Sequence, residues 1–528
     1  GPISKSSKSS YLLNYRYSTL GFMSALGINF GTGTAIPYYQ DITTRFNFPT
    51  EKAGTFSVFA IGGVSQIDLI SSNEEDTVDN LYNNDLDIYD RSKTGIAGIS
   101  HQYLIDNSSY TKFTLAASYV MNSDLIDSIS PETLDPVPYY SQNFTQTKIA
   151  GNFFYKKKFN TKHNLQIGVR FDEFLVDIID SIYRSTIDRY ITLTEYDGNT
   201  FLLQPYAQYQ YRVSDKMSLN AGLHYQYLGL NGSSSLEPRA GIKYQINEKN
   251  ALSFGYGLHS MMAPIATYFK TVEAGVGNYI TPNDSIDFVK AHHIVLGYDL
   301  QLSPTIRMKT EVYYQHLYDV LIDKDSSSYS VLNTGSLTFG SPDYLKNSGT
   351  GRNYGAELTL EKFMDKGMYF LVTGSLYRSE YTGSDKIERE SAFSGNYVTN
   401  FVGGKEFTLF PNRVGQKTKK SIVLDTKFTL AGGQRYTPID LEESILAGET
   451  KYDWDNAYGD QFDDYMRLDL RTAFKMDGKF ATQEWAIDIQ NITSRQNPLY
   501  QRFNPIEGQI DTVYQLGFFL VPQYRITF

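Results

Sequence analysis

The chain has 528 residues, no cysteine and a formal net charge of -10 from 48 basic and 58 acidic side chains. Without cysteine it can build neither a disulfide framework nor a thiolate zinc site. No continuous apolar stretch approaches the roughly 20 residues of a membrane-spanning helix, so a helical membrane protein is excluded. Aromatic residues make up 15% of the chain, with 43 Tyr and 32 Phe against 2 Trp. Such tyrosine richness fits the aromatic girdles of a membrane-spanning β-barrel, and equally a large soluble all-β protein.

Residues 1–10 are polar and carry no apolar core of a signal peptide; they read as a turn or, given Gly1-Pro2, as the remnant of a tag. From residue 11 the chain reads as a succession of strands. Met217, Leu219, Ala221, Leu223, Tyr225 and Tyr227 fall on one face of a strand, as do Ile294, Leu296, Tyr298, Leu300 and Leu302. The period of two recurs in Ile422, Leu424, Thr426, Phe428 and Leu430, in Met466, Leu468, Leu470, Thr472 and Phe474, and in Trp485, Ile487 and Ile489. The residues between them are polar or small. One side is therefore greasy and the other wet, which suits a lipid-facing barrel or the core of a soluble sandwich.

The connectors separate these readings. Short turns are expected at 49–52, 106–109, 160–162, 213–215, 247–249, 303–305 and 365–367, with slightly longer ones at 410–419 and 477–481. Between them lie long excursions at 66–91, 122–141, 175–199, 263–289, 321–350, 433–462 and 494–513. Tight turns at one end and extended loops at the other belong to transmembrane barrels. The count is about twenty strands, from 11–18 to 514–528, and it is even because both termini lie on the short-turn side. A ring of that size encloses a lumen too wide for side chains to fill.

The last strand adds its own signal. Leu520, Pro522, Tyr524, Ile526 and Phe528 share a face, opposite Gln523, Arg525 and Thr527. A terminal Phe528 preceded at alternate positions by Ile526 and Tyr524 resembles the signature that barrel-insertion machinery reads on outer-membrane proteins. It implies a Gram-negative cell outer membrane, with outer-membrane lipid and lipopolysaccharide as surroundings.

The chain as a whole resembles the TonB-dependent outer-membrane receptors, in the branch that carries a carboxypeptidase-regulatory-like domain before its plug. The resemblance rests on EPRAGIKYQI (237–246), SFGYGLHSMMAPIATYF (253–269), KAHHIVLGYDLQL (290–302), TEVYYQHLYDVLID (310–323), GTGRNYGAELTLEK (349–362), GGQRYTPID (432–440) and AIDIQNITSRQN (486–497). YLLNYRYST (11–19) and AIPYYQDIT (35–43) extend it toward the N-terminus. The resemblance implies a 22-strand barrel with an N-terminal plug. Residues 11–528 read as the barrel, with the plug domain and the first hairpin absent from this chain and supplied in cis or as a separate fragment. It also implies energised uptake of a nutrient ligand, with the TonB complex acting through the plug. A receptor-like barrel serving as a scaffold, capped by a surface lipoprotein lid, is the alternative, followed by a passive large pore. An exposed edge at 11–18 has no place in hydrocarbon, so that strand is expected to pair with 514–528 or with the missing fragment.

Charge is distributed unevenly. The excursions 67–91, 122–141 and 433–462 hold 19 carboxylates against 3 basic residues, leaving 39 against 45 elsewhere. An acidic outer surface repels polyanions, so no nucleic-acid partner is expected, and it concentrates cations. Asp453, Asp455 and Asp460, with Asp463 and Asp464, cluster in YDWDNAYGDQFDDY, at a spacing unlike an EF-hand. A Ca²⁺ ion at these acidic outer loops is the only cofactor the sequence offers; hydration of the outer surface, or binding of divalent ions that bridge lipopolysaccharide, accounts for the same residues. His292 and His293 are adjacent and point to opposite faces of a strand, so they cannot share a metal ion. There is no Gly-x-Ser-x-Gly elbow and no phosphate loop, and no catalytic residue is assigned. Arg16, Lys309, Glu311, Glu357, Glu361, Asp425, Lys427, Arg467, Asp469, Arg471 and Asp488 alternate with the apolar positions and are expected to face inward, where they pair with a plug, with neighbouring strands or with water.

Overall fold

The computed structural model describes the whole chain except residues 5–7, 19–36, 73–85, 131–134, 276–277, 335–340, 411–417, 506 and 528. Among the described residues, 21 strands belong to one large antiparallel sheet, twenty long ones and the short Glu388–Glu390, and six short strands form three separate pairs. The chain divides into two compact units. One comprises residues 1–240, 258–290 and 336–347, and the other 241–257, 291–335 and 348–528.

In the first unit, consecutive strands pair with their neighbours from Ser10–Tyr17 through to Met217–Leu228. Expected short turns are found where the sequence puts them, for instance between Asp106 and Ser109 and between Arg212 and Met217, while most of the 410–419 turn lies outside the described residues. Several expected loops are not loops. Ser109–Ile129 pairs with Pro136–Lys158 along its whole length. His163–Arg184 and Arg189–Arg212 continue through the expected 175–199 excursion to a single 3-10 turn, Ser185–Ile187. Beyond the bilayer a strand has no lipid to face, so the alternation fades while the backbone pairing persists.

The second unit repeats the meander from Leu345–Asp365 through Met368–Thr382, Tyr397–Leu409, Lys419–Ala431, Tyr465–Asp477 and Thr482–Gln490 to Phe519–Thr527. The two-residue turn at Lys366 and Gly367 has φ of 50° and 74°. Both central residues are left-handed, as a tight hairpin of right-twisted strands requires, and a Cβ on Gly367 would sit 2.7 Å from the Glu406 carbonyl oxygen. The last strand begins at Phe519 rather than 514. The expected 494–513 loop instead contains a hairpin of its own, Pro498–Asn504 with Gln509–Tyr514.

Burial is inverted relative to a soluble protein. Leu296 (53%), Leu376 (68%), Ile487 (47%) and Leu520 (47%) are all exposed, while the charged residues between such positions are less so. In the first unit Ile96, Ile149, Phe153 and Ile167 are likewise exposed. Burying nonpolar surface is the main driving force of folding in water, and here that surface is left bare at alternate positions in strand after strand. The solvent it satisfies is acyl chain.

Candidate functional site

The charged face is wired along its own wall. Asp425, Arg471 and Asp488 stand opposite one another in register on three successive strands. The Arg471 guanidinium lies 2.7 Å from Glu484, 2.9 Å from Asp488 and 3.5 Å from Asp425. Tyr369 donates to Asp425 at 3.0 Å, and Gln523 donates to Asp488 at 2.8 Å. Arg467 holds Asp469 at 2.7 Å, Lys309 holds Glu311 at 2.6 Å, and in the first unit Arg16 holds Asp41 at 2.9 Å. Lys427 stands opposite Asp469 in register. These pairs form both between neighbouring strands, as at Arg471 and Arg16, and within one strand, as at Arg467 and Lys309. Arg471→Met should leave three carboxylates facing each other and lower stability by about 1–2 kcal/mol, since a hydrogen bond to a charged group is worth a little more than a neutral one. A lower urea midpoint in detergent checks this.

The outer loops are packed, and each unit carries its own cluster. In the first, the segment around the short helix Ile265–Phe269 forms a small core in which Tyr268 and Phe288 are fully buried. Tyr196 stacks on Phe269 at 3.6 Å. Asn283 clamps residues 343–345, donating to the Asp343 carbonyl at 3.1 Å and accepting from the Leu345 amide at 2.9 Å. Lys270 pairs with Asp343 at 2.9 Å. Burial pushes the Tyr268 phenol up to about 12.

In the second unit, Arg435 pairs with Glu390, Arg389 with Asp385 at 2.7 Å, and the rings of Tyr381 and Tyr458 meet edge to face. Backbones come into contact where glycine permits it. A Cβ on Gly432 would collide with the carbonyl oxygen of Gly395, and one on Gly433 with that of Phe462. Gly432→Val should therefore displace the 433–462 loop while the barrel still forms. Faster trypsin cleavage within that loop, with unchanged heat-modifiable migration on gels, is the expected result.

The acidic residues chosen as calcium ligands have other work. Asp453 caps the 3-10 turn Trp454–Asn456, accepting from the Asn456 amide, and Asp460 lies in the two-residue strand that pairs with Arg435–Tyr436. The Asp455 carbonyl oxygen accepts from Arg389. Among the described residues no three His, Asp or Glu side chains gather into a group that could hold a metal ion. Asp440 caps the helix Leu441–Ala447, and Glu449 pairs with Lys451 at 2.6 Å. Loop carboxylates here hold turns in place. Of the terminal signal, Tyr524 (57%) and Ile526 (42%) lie exposed on the apolar face, with Tyr524 against Trp485; Phe528 lies outside the described residues.

Two adjoining cavities open on the charged face of the second unit, and neither was singled out in the sequence. One, of about 580 Å³, is lined by Glu311, Tyr313, Gln315, Asn353 and Glu357. The other, of about 340 Å³, is lined by Gly395, Gly432, Gln434, Phe462 and Asp463. Tyr377 and Phe393 line both. Their residues come from strands and loops far apart in the chain, which is why only the fold reveals them.

Residues 14–492 match the family described as TonB dependent receptor-like, beta-barrel. The chain belongs to that family. Its fold is thus a large antiparallel transmembrane β-barrel, and the TonB-dependent receptor barrels are outer-membrane transport receptors rather than enzymes. Solved structures agree on the fold. The ferric yersiniabactin uptake receptor of Yersinia pestis is 12% identical with a TM-score of 0.68, the match covering 100% of this chain and 77% of that one. The ferric-catecholate import receptor Fiu of K12 E. coli is 10% identical with a TM-score of 0.70, covering 100% and 78%. The pyoverdine outer membrane receptor of Pseudomonas aeruginosa PAO1 is 11% identical with a TM-score of 0.72, covering 100% and 75%. No curated protein matches the chain. In a TonB-dependent receptor barrel, the charged face described above is the one that lines the lumen.

Proposed function

We propose that this chain is the barrel of an energised import receptor of the Gram-negative outer membrane. It would take up a nutrient ligand together with a plug, in cis or as a separate fragment, on which the TonB complex acts. The observation that supports this most strongly is membership of the TonB-dependent receptor family over residues 14–492. Loop packing within each unit, by Asn283 in the first and by the Arg435–Glu390 pair in the second, supports capture of a ligand by outer loops. The quoted segments support the branch that carries a carboxypeptidase-regulatory-like domain. The test is uptake in cells that express the receptor: import that stops when the proton-motive force is collapsed or the TonB complex is deleted is expected, and import that survives both treatments rules the reading out.

One observation favours the scaffold reading. The acidic 433–462 loop bears Leu446 at 87% exposure, Ile445 at 53% and Trp454 at 57%. Bare apolar side chains rimmed by carboxylates suit a protein lid with a basic edge. Copurification of a surface lipoprotein that is lost in Leu446→Glu would support it.

A further inference from the structure

We infer that the lipid-facing wall of the first unit holds a docking site for one phosphate-bearing, multiply acylated lipid of the outer leaflet, the anchor of lipopolysaccharide. An acyl chain lies in a glycine-floored notch and a phosphate rests on Lys93. The site is on the outside of the wall and is independent of what the receptor imports.

The notch is a gap in the greasy stripe. One register row on the lipid face runs Tyr15, Ile42, Gly62, Gly95 and Tyr119 across five strands. Tyr15, Ile42 and Tyr119 are exposed, and the two glycines between Ile42 and Tyr119 add no side chain. A cavity of about 450 Å³ opens over them, and a second of about 370 Å³ adjoins it, with Gln40, Val64 and Lys93 lining both. The backbone does not require glycine here: neither Gly62 nor Gly95 has a left-handed φ, and a Cβ on Gly95 would meet no atom within 4 Å. The space is therefore open to the bilayer, and a hydrocarbon chain lying between Ile42 and Tyr119 gains packing on both sides.

Height places the mouth of the notch among headgroups. Tyr103, exposed on the same face, marks the end of the stripe nearest the short turn after Asp106. Lys93 lies ten residues farther along the strand Leu86–Asp106, an even separation that keeps it on that face. At ~3.3 Å per residue and the tilt usual for barrels, this is about 25 Å of height, the thickness of the hydrocarbon band. Lys93 thus stands at the level of the outer headgroups. Tyr17 in its register row and Tyr38 in the next are exposed there as part of an aromatic girdle.

Charge selects the occupant. Lys93 is exposed and, among the described residues, makes no ion pair, whereas Arg91, the next residue outward on that face, is held by Asp68 at 2.5 Å. Tyr15 donates to Gln40 Oε1 at 2.9 Å, which leaves the Gln40 amide hydrogens to donate outward. Gln40 and Lys93 flank Val64 in register, so an amide and an ammonium stand on the two sides of the mouth. That pair suits a headgroup with several anionic oxygens. A zwitterionic lipid brings an ammonium of its own that competes with Lys93. An apolar segment of another protein would cover the Lys93 charge without a counter-ion, which is costly.

The test is native mass spectrometry of the purified full chain in detergent micelles, titrated with bisphosphorylated lipid A, with the same lipid stripped of its phosphates, and with a phosphatidylcholine. Lipid A should be retained about fivefold or more tightly than either of the others, the scale of one interfacial lysine. Lys93→Gln should shrink that preference to within about twofold, and Gly95→Leu, which fills the notch, should weaken lipid A binding by about tenfold. Gly151→Leu is the control: Gly151 stands opposite Leu115 on the lipid face, with open space for a Cβ, and lines neither cavity. It should leave binding unchanged. Unchanged heat-modifiable migration of the variants shows that they fold. Equal retention of the three lipids overturns the inference, as does binding indifferent to Lys93→Gln or to Gly95→Leu. Displacement of lipid A by inorganic phosphate at constant ionic strength also overturns it, since the site would then be one for free anions.

Discussion

Replacing Glu237 with leucine is expected to destabilise the barrel by about 3–5 kcal/mol, the penalty for breaking a buried, fully engaged ion pair by removing one member. The Glu237 carboxylate is completely buried. It accepts from His224 Nδ1 at 2.9 Å, Arg239 at 2.7 Å, Gln226 at 2.5 Å, the Ser260 amide at 3.1 Å and the Ser260 hydroxyl. Leucine fills similar space and satisfies none of these donors, so the loss is of partners rather than of volume. Glutamine keeps one acceptor oxygen, and its cost should fall to about 1–2 kcal/mol. Denaturant unfolding of refolded protein in lipid, followed by tryptophan emission, reads the difference. Equal costs for leucine and glutamine would show that the site is not held by these bonds.

Ile487→Arg should cost about 2–4 kcal/mol, the range for a cation on the lipid face near the midplane of a barrel. Ile487 is 47% exposed in the middle of Thr482–Gln490, and its register partners are Thr472 and Pro522. The partner experiment is Gln523→Arg. Gln523 lies on the other face with its amide on Asp488, so an arginine there gains an ion pair and should cost under about 1 kcal/mol. The fraction folded into vesicles, resolved by heat-modifiable migration, separates the two. Equal tolerance of both substitutions would contradict the assignment of faces.

Much of this was legible in the residues. Alternation in 217–227, 294–302 and 466–474 marks strands and their two faces because a pleated strand cannot do otherwise. The turns were marked by runs such as Asp106 to Ser109, where the Asp106 carboxylate caps the Ser108 amide at 2.6 Å. The expected count of about twenty strands matches the twenty long strands of the large sheet among the described residues. The outer regions were less readable. In 175–199 Leu175 is exposed while Val176 and Ile178 are buried, so the apolar side there is opposite to what a lipid-facing stripe would give. Burial there is decided by tertiary packing, and no local period encodes it. Glu237 sat in plain view within EPRAGIKYQI, but a lone carboxylate says nothing until His224, Gln226 and Ser260 are brought beside it. Within the acidic run from Asp453 to Asp464, Asp453 caps the turn Trp454–Asn456 and Asp464 accepts from the Tyr397 hydroxyl at 2.5 Å, partners that closeness in sequence does not announce.

The longest ribbon, Arg189–Arg212, has 24 residues. At ~3.3 Å each it measures about 80 Å, or about 60 Å in height at the tilt usual for barrels, against a hydrocarbon band of about 25 Å. More than half of that rod therefore stands above the lipid, through the sugar coat of the cell. The hairpin that it forms with His163–Arg184 is thus a stiff ribbon whose tip, at Ile187, stands well clear of the acyl chains.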